Sequence, residues 1–447
     1  MTDLKFKSQD IYTFLLFSGI WLLFYIFNML GTYPVLVYKL VFYFMLAVNG
    51  TLILSSIRFK NPIGLLFFGY ITLYMIPYIS VLNRDVYLSI YLKENDFQLL
   101  SKTLLIYSLF LLPFLLFNTK NSIMEIKIDT VNNEILFYVL LLVFLFMWHF
   151  GIQGQNIFVS GGYGSGNQKK SSIYEYLLII ICLIYQYSGR SKRKMLIFYI
   201  FCILYVGKNL LFGGRIETLM LIIMVYLLIF QNKIPFRMLI IFAGIFYYLM
   251  QVFSNIRSNL KALVTGNYLA FFNIFNSSSN IDYLGTNEGD VFWAGERLLY
   301  LIRDGYLTVL DRITSGLSFF LSVFVPRSLL GGYDNLASFK RNVYGTGGGG
   351  LAPLFFYTMF SIVGVFLIGY TIAKLFNGIT KKYSLKNIYI LFMIVTLPRW
   401  FAYYPIQLIK LDLIAVVVIY FFHLISSFLC KYCKCSNNID KYSCNKN

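Results

Sequence analysis

The arginines of this sequence fall where a phosphate-bearing ligand could be held. Arg215 follows Gly213-Gly214 at the junction of two apolar runs, and Arg399 follows Pro398 inside another. Arg257, Arg297, Arg303, Arg312, Arg327 and Arg341 are spread through one long, more polar segment. A guanidinium is always charged and presents a planar fork that grips phosphate oxygens in pairs, whereas lysine offers only a point charge. Arginines gathered at a lipid–water boundary therefore point to an anionic ligand at that depth, and a lipid pyrophosphate has the right chemistry. Any one of them can instead pair with a nearby acid or a lipid headgroup. Charges at a membrane edge are costly to keep, which favours the functional reading for the set.

The elements that must position these residues are membrane helices. Of 447 residues, 58% are hydrophobic and only 13% charged, against about 45–50% and about 25% in an ordinary soluble domain. A water-soluble fold cannot hide that much apolar surface, and disordered, coiled-coil, collagen-like and disulfide-scaffold classes are excluded with it. The expected class is all-α: a polytopic integral membrane protein with about 12 transmembrane helices. Apolar runs of spanning length fall near 11–30, 36–54, 63–82, 98–117, 135–150, 173–188, 195–213, 216–231, 237–253, 351–377, 387–404 and 406–429. The run at 387–404 is interrupted at Pro398. The first run lacks a cleavage-site pattern and is expected to remain as a helix.

Positive charge sets the orientation. With both termini cytoplasmic, lysine concentrates in the short inner loops and tail, as the positive-inside rule requires. The net charge of +19 then reflects topology, and no basic, aromatic-studded soluble domain suggests nucleic acid. Arginine shows the opposite bias. Arg84 joins the eight above on the outer face, against Arg58, Arg190, Arg193 and Arg237 inside.

Organisation follows: an N-terminal bundle at 1–253, a large outer loop at 254–350, C-terminal helices at 351–429 and a Cys/Lys-rich tail at 430–447. Within the loop, Glu296–Ile313 reads as one amphipathic helix lying along the membrane. Leu298, Leu299, Ile302, Tyr306, Val309 and Ile313 share its apolar face; Glu296, Arg297, Asp304, Thr308 and Asp311 its polar one, with Arg303 at the edge near Glu296. Leu317–Val325 is apolar but too short to span, which suggests an interfacial or re-entrant segment.

The run Leu211-Phe-Gly-Gly-Arg215-Ile-Glu-Thr-Leu resembles the Gly-(Ser/Gly)-Arg element of Wzy-type O-antigen polymerases. Val325-Pro-Arg327-Ser-Leu-Leu-Gly-Gly, followed by Gly345-Thr-Gly-Gly-Gly-Gly and a span, resembles the end of that family's large periplasmic loop, and Arg399 its arginine after the loop. The plan of a dozen spans with one dominant outer loop is similar over most of the chain. Some members repeat Arg-x10-Gly in their loops; here Arg327 is followed at that spacing by Ser338, so that motif is not transferred.

The resemblance implies a GT-C-like glycosyltransferase of the bacterial inner membrane. It would join undecaprenyl-pyrophosphate-linked oligosaccharide repeat units at the periplasmic face, with a chain-length regulator and membrane lipids as partners. Arg215, Arg327 and Arg399 would hold the donor pyrophosphate as its charge develops, with Arg303 and Arg341 next. Glu296, Asp290 and His149 are the candidate bases for the acceptor hydroxyl. Glu296 can also be a salt-bridged surface carboxylate, and His149, beside Trp148, an interfacial anchor.

Other features are weaker. The first outer loop, about Gly31–Pro34, has no acid, so no metal cofactor is expected. Gly345–Gly350 reads as a hinge, with an anion-binding backbone nest as the alternative. Cys430, Cys433, Cys435 and Cys444 could hold zinc, but their spacing is irregular, and the tail reads as disordered, reduced and Lys-rich. His423 reads as a packed core residue, and Lys410 and Asp412 as a pair. Tyr163, Tyr283, Phe292, Trp293, Tyr333, Trp400, Tyr403 and Tyr404 could line a glycan groove or form an interfacial belt. An O-antigen ligase is expected to carry a histidine in the large loop, and Ser254–Gly350 has none. A flippase is expected to show two equivalent halves, and no repeat is visible. An inert structural protein would leave the outer arginines unexplained.

Overall fold

The structure is a computed structural model. It describes residues 8–84, 86–87, 90–91, 94–117, 126, 128–153, 169–170, 175–211, 215–231, 233–234, 287–325, 335–347, 349–379 and 384–443, with isolated positions at 238, 241 and 244. At 80, 83–84, 86–87, 90–91, 94–95, 152–153, 169–170, 211, 215, 287 and 429–443 it describes backbone alone.

The described residues are almost all helical. In chain order come α1 (Ser8–Leu30), α2 (Pro34–Arg58), α3 (Pro62–Leu73), α4 (Ile76–Arg84), α5 (Glu94–Leu116), α6 (Glu134–Gly151), α7 (Leu177–Tyr187), α8 (Lys192–Leu211) and α9 (Arg215–Val225). A π-helical turn, Tyr226–Phe230, extends α9. Then follow α10 (Asn287–Arg303), α11 (Val309–Leu321), α12 (Leu336–Tyr344), α13 (Ala352–Asn377), α14 (Leu385–Val395), α15 (Leu397–Trp400) and α16 (Gln407–Ser443). Two pairs of two-residue strands, Val86–Tyr87 with Ile90–Tyr91 and Ile152–Gln153 with Lys169–Lys170, form the only sheet structure described.

Among the described residues, six helices are long and apolar enough to cross a membrane: 8–30, 34–58, 96–116, 134–151, 352–377 and 407–428. Helices 62–73, 177–187, 216–230 and 385–395 are apolar but shorter. The run expected at 237–253 lies almost wholly outside the described residues. Helix α16 continues to Ser443, where the sequence predicts a disordered tail; no Gly or Pro between 407 and 443 interrupts it.

Helix α5 is the centre. It packs against α1, α2 and α13 and is buried along most of its length, whereas α1 is mostly exposed. Gly369 of α13 lies so close to the Phe110 carbonyl of α5 that a Cβ would collide with backbone, the small-residue route to close helix approach. Buried polar groups tie this layer together. Trp21 Nε1 donates to Leu105 O at 2.8 Å, and the Asn28 and Gln98 amides donate to each other's backbone carbonyls at 2.9 and 2.8 Å. A second group joins α6 to α7, α7 to α8, α8 to α9, α9 to α14 and α15, and α14 to α16.

Several helices are broken. The run at 387–404 divides into α14 and α15 beside Pro398, which lacks the N–H needed to continue the ladder. Helix α13 kinks at Ser361 (φ 60°, ψ −156°). The break frees carbonyls one turn earlier, and Arg312 takes two of them: Nε donates to Thr358 O at 2.7 Å and Nη2 to Tyr357 O at 2.9 Å.

The expected continuous helix from Glu296 to Ile313 is two helices. Gly305 (φ +77°) ends the first. Thr308 starts the second by accepting from Asp311 N, while the Asp311 carboxylate accepts from Thr308 N. The predicted apolar face splits accordingly: Leu298 and Leu299 are buried, whereas Tyr306, Val309 and Ile313 are exposed. Leu317 and its neighbours belong to α11 and the turns after it. Ser315, Gly316 and Phe319 of α11 are buried, and Leu310, Ile313, Leu317 and Phe320 face outward.

Candidate functional site

The broken α14–α15 junction carries the most developed polar site. Pro398 precedes Arg399, the third residue of α15, and the Arg399 N–H donates to Thr396 O at 2.8 Å. Its side chain reaches back to a residue 224 positions earlier: Nη2 donates to Glu175 Oε1 at 2.7 Å. Gln407 at the start of α16 donates from Nε2 to the other carboxylate oxygen at 2.8 Å. Both partners of the ion pair remain about a third exposed. Nε and Nη1 of Arg399 make no hydrogen bond among the described residues, and the guanidinium lies 5.7 Å from the Tyr403 ring. The fork is thus held through Nη2, and a guanidinium has further N–H donors suited to an anion.

Further groups surround it. Glu217, in the first turn of α9, lies within electrostatic reach of Arg399. The Tyr70 and Tyr74 hydroxyls are 2.7 Å apart, and both lie within electrostatic reach of Tyr403 and Glu288. Glu288, in the first turn of α10, has a buried Oε2 with no hydrogen-bond partner among the described residues. Three carboxylates, one arginine and three tyrosines, carried by α3, α9, α10, α15 and the residues flanking α3, α7 and α15, therefore converge at this end of the bundle.

The sequence-predicted residues divide. Arg399 lies in the site. Arg215 begins α9, the helix that packs against α14 and α15 and carries Glu217; its backbone is next to the site, and its side chain lies outside what is described. Arg327 also lies outside the described residues. Arg303 and Arg341 are exposed, on α10 and α12. His149 is exposed on α6, with its ring edge-on to Phe150.

Glu296 requires a correction. It is not on a solvated face near Arg303 but buried, 4% exposed, with Oε1 unpartnered among the described residues. Burial drives its carboxyl well above the ordinary carboxylate range, Arg297 opposes this and Asp96 adds to it. Arg303 instead bonds Asp304 at 2.8 Å and stacks over Tyr300 at 4.0 Å. Beside it, Arg297 lies 3.5 Å from the Trp293 ring centre and 4.3 Å from that of Tyr300. Tyr300 donates to Asp96 at 2.6 Å and Tyr344 to Asp304 at 2.8 Å. This group is a structural lattice joining α10 to α5 and α12.

The expected hinge at Gly345–Gly350 is tightly packed. Gly350 N donates to Ala402 O at 3.1 Å and Ala352 N to Phe401 O at 2.7 Å. A Cβ on Gly349 would press on Ala402 O and Val291, and one on Gly347 would lie 2.8 Å from Asp290 Oδ2. Glycine here lets backbone approach backbone, a demand of packing rather than of motion. Asp290 is exposed alongside. Lys340, wholly buried, donates to Ala294 O at 2.8 Å and to Gly349 O, pinning α10 and the glycine segment together. Burial pulls its ammonium down to about 7, with Asp290 opposing.

The expected Lys410–Asp412 pair is absent. Lys410 Nζ reaches Ser322 O at 3.4 Å, and Asp412 turns to Thr396. Of the aromatic residues proposed for a groove, Phe292 and Trp400 are fully buried in the core, while Trp293, Tyr403 and Tyr404 are partly exposed. Tyr163, Tyr283 and Tyr333 lie outside the described residues.

Sequence reasoning missed Glu175 and Glu288. Each is an acid at the start of a helix, Glu175 alone and Glu288 two residues before Asp290, and that position was a usable signal. Comparison of the chain with models of known families, with curated proteins and with solved structures finds no match.

Proposed function

We propose that this protein is a membrane glycosyltransferase that polymerises oligosaccharide repeat units carried on undecaprenyl pyrophosphate. It would be a GT-C-like protein of about twelve spans in the bacterial inner membrane, with both termini cytoplasmic and the Arg399 end facing the periplasm. The observation that carries the reading is Arg399. It sits at a proline-broken helix, is held through Nη2 by Glu175, which Gln407 in turn braces, and neighbours the helix that Arg215 begins. A guanidinium oriented in advance stabilises charge as it develops on a pyrophosphate leaving group.

In the reaction, the acceptor hydroxyl oxygen bonds to the anomeric carbon of the donor glycan. The bond from that carbon to the pyrophosphate oxygen breaks, and its electron pair leaves with undecaprenyl pyrophosphate beside Arg399, Arg215 and Arg327. We assign the acceptor's proton to Glu288, whose Oε2 has no described partner, rather than to Glu296, which is turned into the bundle. Glu175, already accepting two hydrogen bonds, positions the arginine. Tyr70 and Tyr403 offer aromatic faces and hydroxyls to sugar.

The test is deletion of the gene in its host, gel analysis of the surface glycan, and complementation with wild type, Arg399→Ala, Arg215→Ala and Glu288→Gln. A polymerase predicts loss of the long-chain ladder with a single capped repeat unit left, and no rescue by these variants at normal membrane levels. An untouched ladder after deletion refutes the reading. Loss of the single unit as well replaces it with a ligase or a flippase.

A further inference from the structure

One buried group plays no part in the reaction just described. Asp412 lies in α16 within the 407–428 span, 0% exposed. Its Oδ1 is 3.0 Å from Thr396 Oγ1, and its Oδ2 is buried without a hydrogen-bond partner among the described residues. Thr396 is also 0% exposed and ends α14 at the break. The same Oγ1 lies 2.7 Å from Phe392 O, one turn back.

Protons can be counted here. Two oxygen–oxygen contacts of hydrogen-bond length meet at one hydroxyl, and a hydroxyl has one proton. The shorter contact, to Phe392 O, is the usual back-bond of a helical threonine, so the hydroxyl proton is used there. The contact to Asp412 then needs a proton of its own, and only the carboxyl can supply it. With Asp412 ionised, the site would hold two acceptors facing one donor, in a medium that penalises unpaired charge.

Among the described residues, no cation compensates. Lys410, two residues earlier in α16, reaches Ser322 O, and Arg399 on α15 is paired with Glu175. On α14, the Tyr389 hydroxyl donates to Leu408 O. On α7, Tyr185 and Tyr187 donate to Leu228 O and Phe422 O, and Cys182 is buried. His423 lies three turns further along α16 itself.

We propose that Asp412 is an intramembrane proton-binding site, with the bound proton running Asp412 → Thr396 → Phe392 O and thereby holding the α14–α15 break. Thr396 O in turn accepts from the N–H groups of Arg399 and Trp400 at 2.8 and 3.1 Å. Proton occupancy therefore sets the start of the short helix that carries Arg399, and the site couples the protonation state of the membrane interior to the geometry of the candidate anion site. The ligand is a proton, and the site stands whether or not the protein is a transferase.

The test is infrared difference spectroscopy on the full chain in lipid nanodiscs at pH 7, wild type minus Asp412→Asn. The expected difference is a carbonyl stretch of a protonated carboxyl, present in wild type, lost in the variant and shifted in D2O. In Thr396→Val the same band moves to higher frequency as its hydrogen bond is lost, which identifies it even where Asp412→Asn folds poorly. A carboxylate band lost in Asp412→Asn, with no acid band, overturns the proposal. So does an acid band that disappears on adding sodium ions, which would make the site one for a metal cation.

Discussion

Lys340 is a lysine with almost no water around it. It is wholly buried, and its amine reaches two carbonyls, Ala294 O and Gly349 O. A neutral amine has two N–H donors, enough for both. Burial lowers its folded pKa from 10.5 to about 7, the nearby Asp290 carboxylate opposing the shift. A lysine depressed in this way loses its proton in the folded protein first. From about 7 to about 10.5 the unfolded chain therefore binds more protons, and stability rises with pH through that window. Each pH unit is worth about 1.4 kcal/mol once the folded amine is neutral. Starting half-protonated at pH 7, the gain by pH 9 is about 2 kcal/mol. Well below pH 7 both states are protonated and the dependence vanishes.

Lys340→Met isolates this slope. At any single pH the variant mixes two opposed effects, loss of the two bonds and relief of desolvation, so its stability at neutral pH decides nothing. The pH dependence of the difference is free of that ambiguity, because every other titrating group, the buried Glu296 included, is common to both proteins. Thermal unfolding in detergent between pH 5 and 9 should show wild type gaining on Lys340→Met above pH 7, by a few degrees at most for a chain of this size, and a flat difference below. A difference that stays constant from pH 7 to 9, or one that falls, would mean that Lys340 remains an ammonium held by Asp290 and the carbonyls.

Two further outcomes follow from buried polar groups. Arg312→Ala leaves Tyr357 O and Thr358 O without their charge-assisted donors at the α13 kink; at about 1.5–3 kcal/mol per such bond, and with Arg312 only half-buried, a loss of roughly 3 kcal/mol is expected in thermal unfolding, partly restored by Arg312→Lys, and a wild-type melting temperature would show that the kink needs no clamp. Glu296 has a raised folded pKa, so the stability present below the ordinary carboxylate range is lost as pH rises toward the folded value; Glu296→Gln should match wild type at low pH and surpass it at pH 8, and parallel pH profiles of the two would refute the burial of a neutral acid.

The sequence was informative where one physical quantity decides the outcome. Spans such as 11–30 and 351–377 are called by apolar length alone, and the break at 387–404 by a proline that cannot donate. Other breaks carry no such mark. Nothing at Ser361 excludes helix; the kink persists because Arg312, 49 positions earlier, accepts the cost of the freed carbonyls, and that partnership is invisible to local reading. The division of 296–313 was visible in principle, since Thr308 and Asp311 form a capping box in mid-segment, but helical periodicity runs through both halves and masks it.

Glu296 shows the deeper limit. Periodicity tells which residues of a helix share a face, not which face turns inward. A carboxylate is normally assigned to water, yet α10 packs against α4, α5, α12 and α13, leaving little of its circumference outside. Once a helix is surrounded, its polar residues are sorted by the partners that reach them rather than by solvent. Arg297 finds the Trp293 and Tyr300 rings, Tyr300 finds Asp96, and Glu296 is left buried with Oε1 unpartnered among the described residues. The same sorting removed Asp412 from Lys410 and joined Arg399 to Glu175. In each case the charge was legible in the sequence, and its partner was set by a long-range contact between helices.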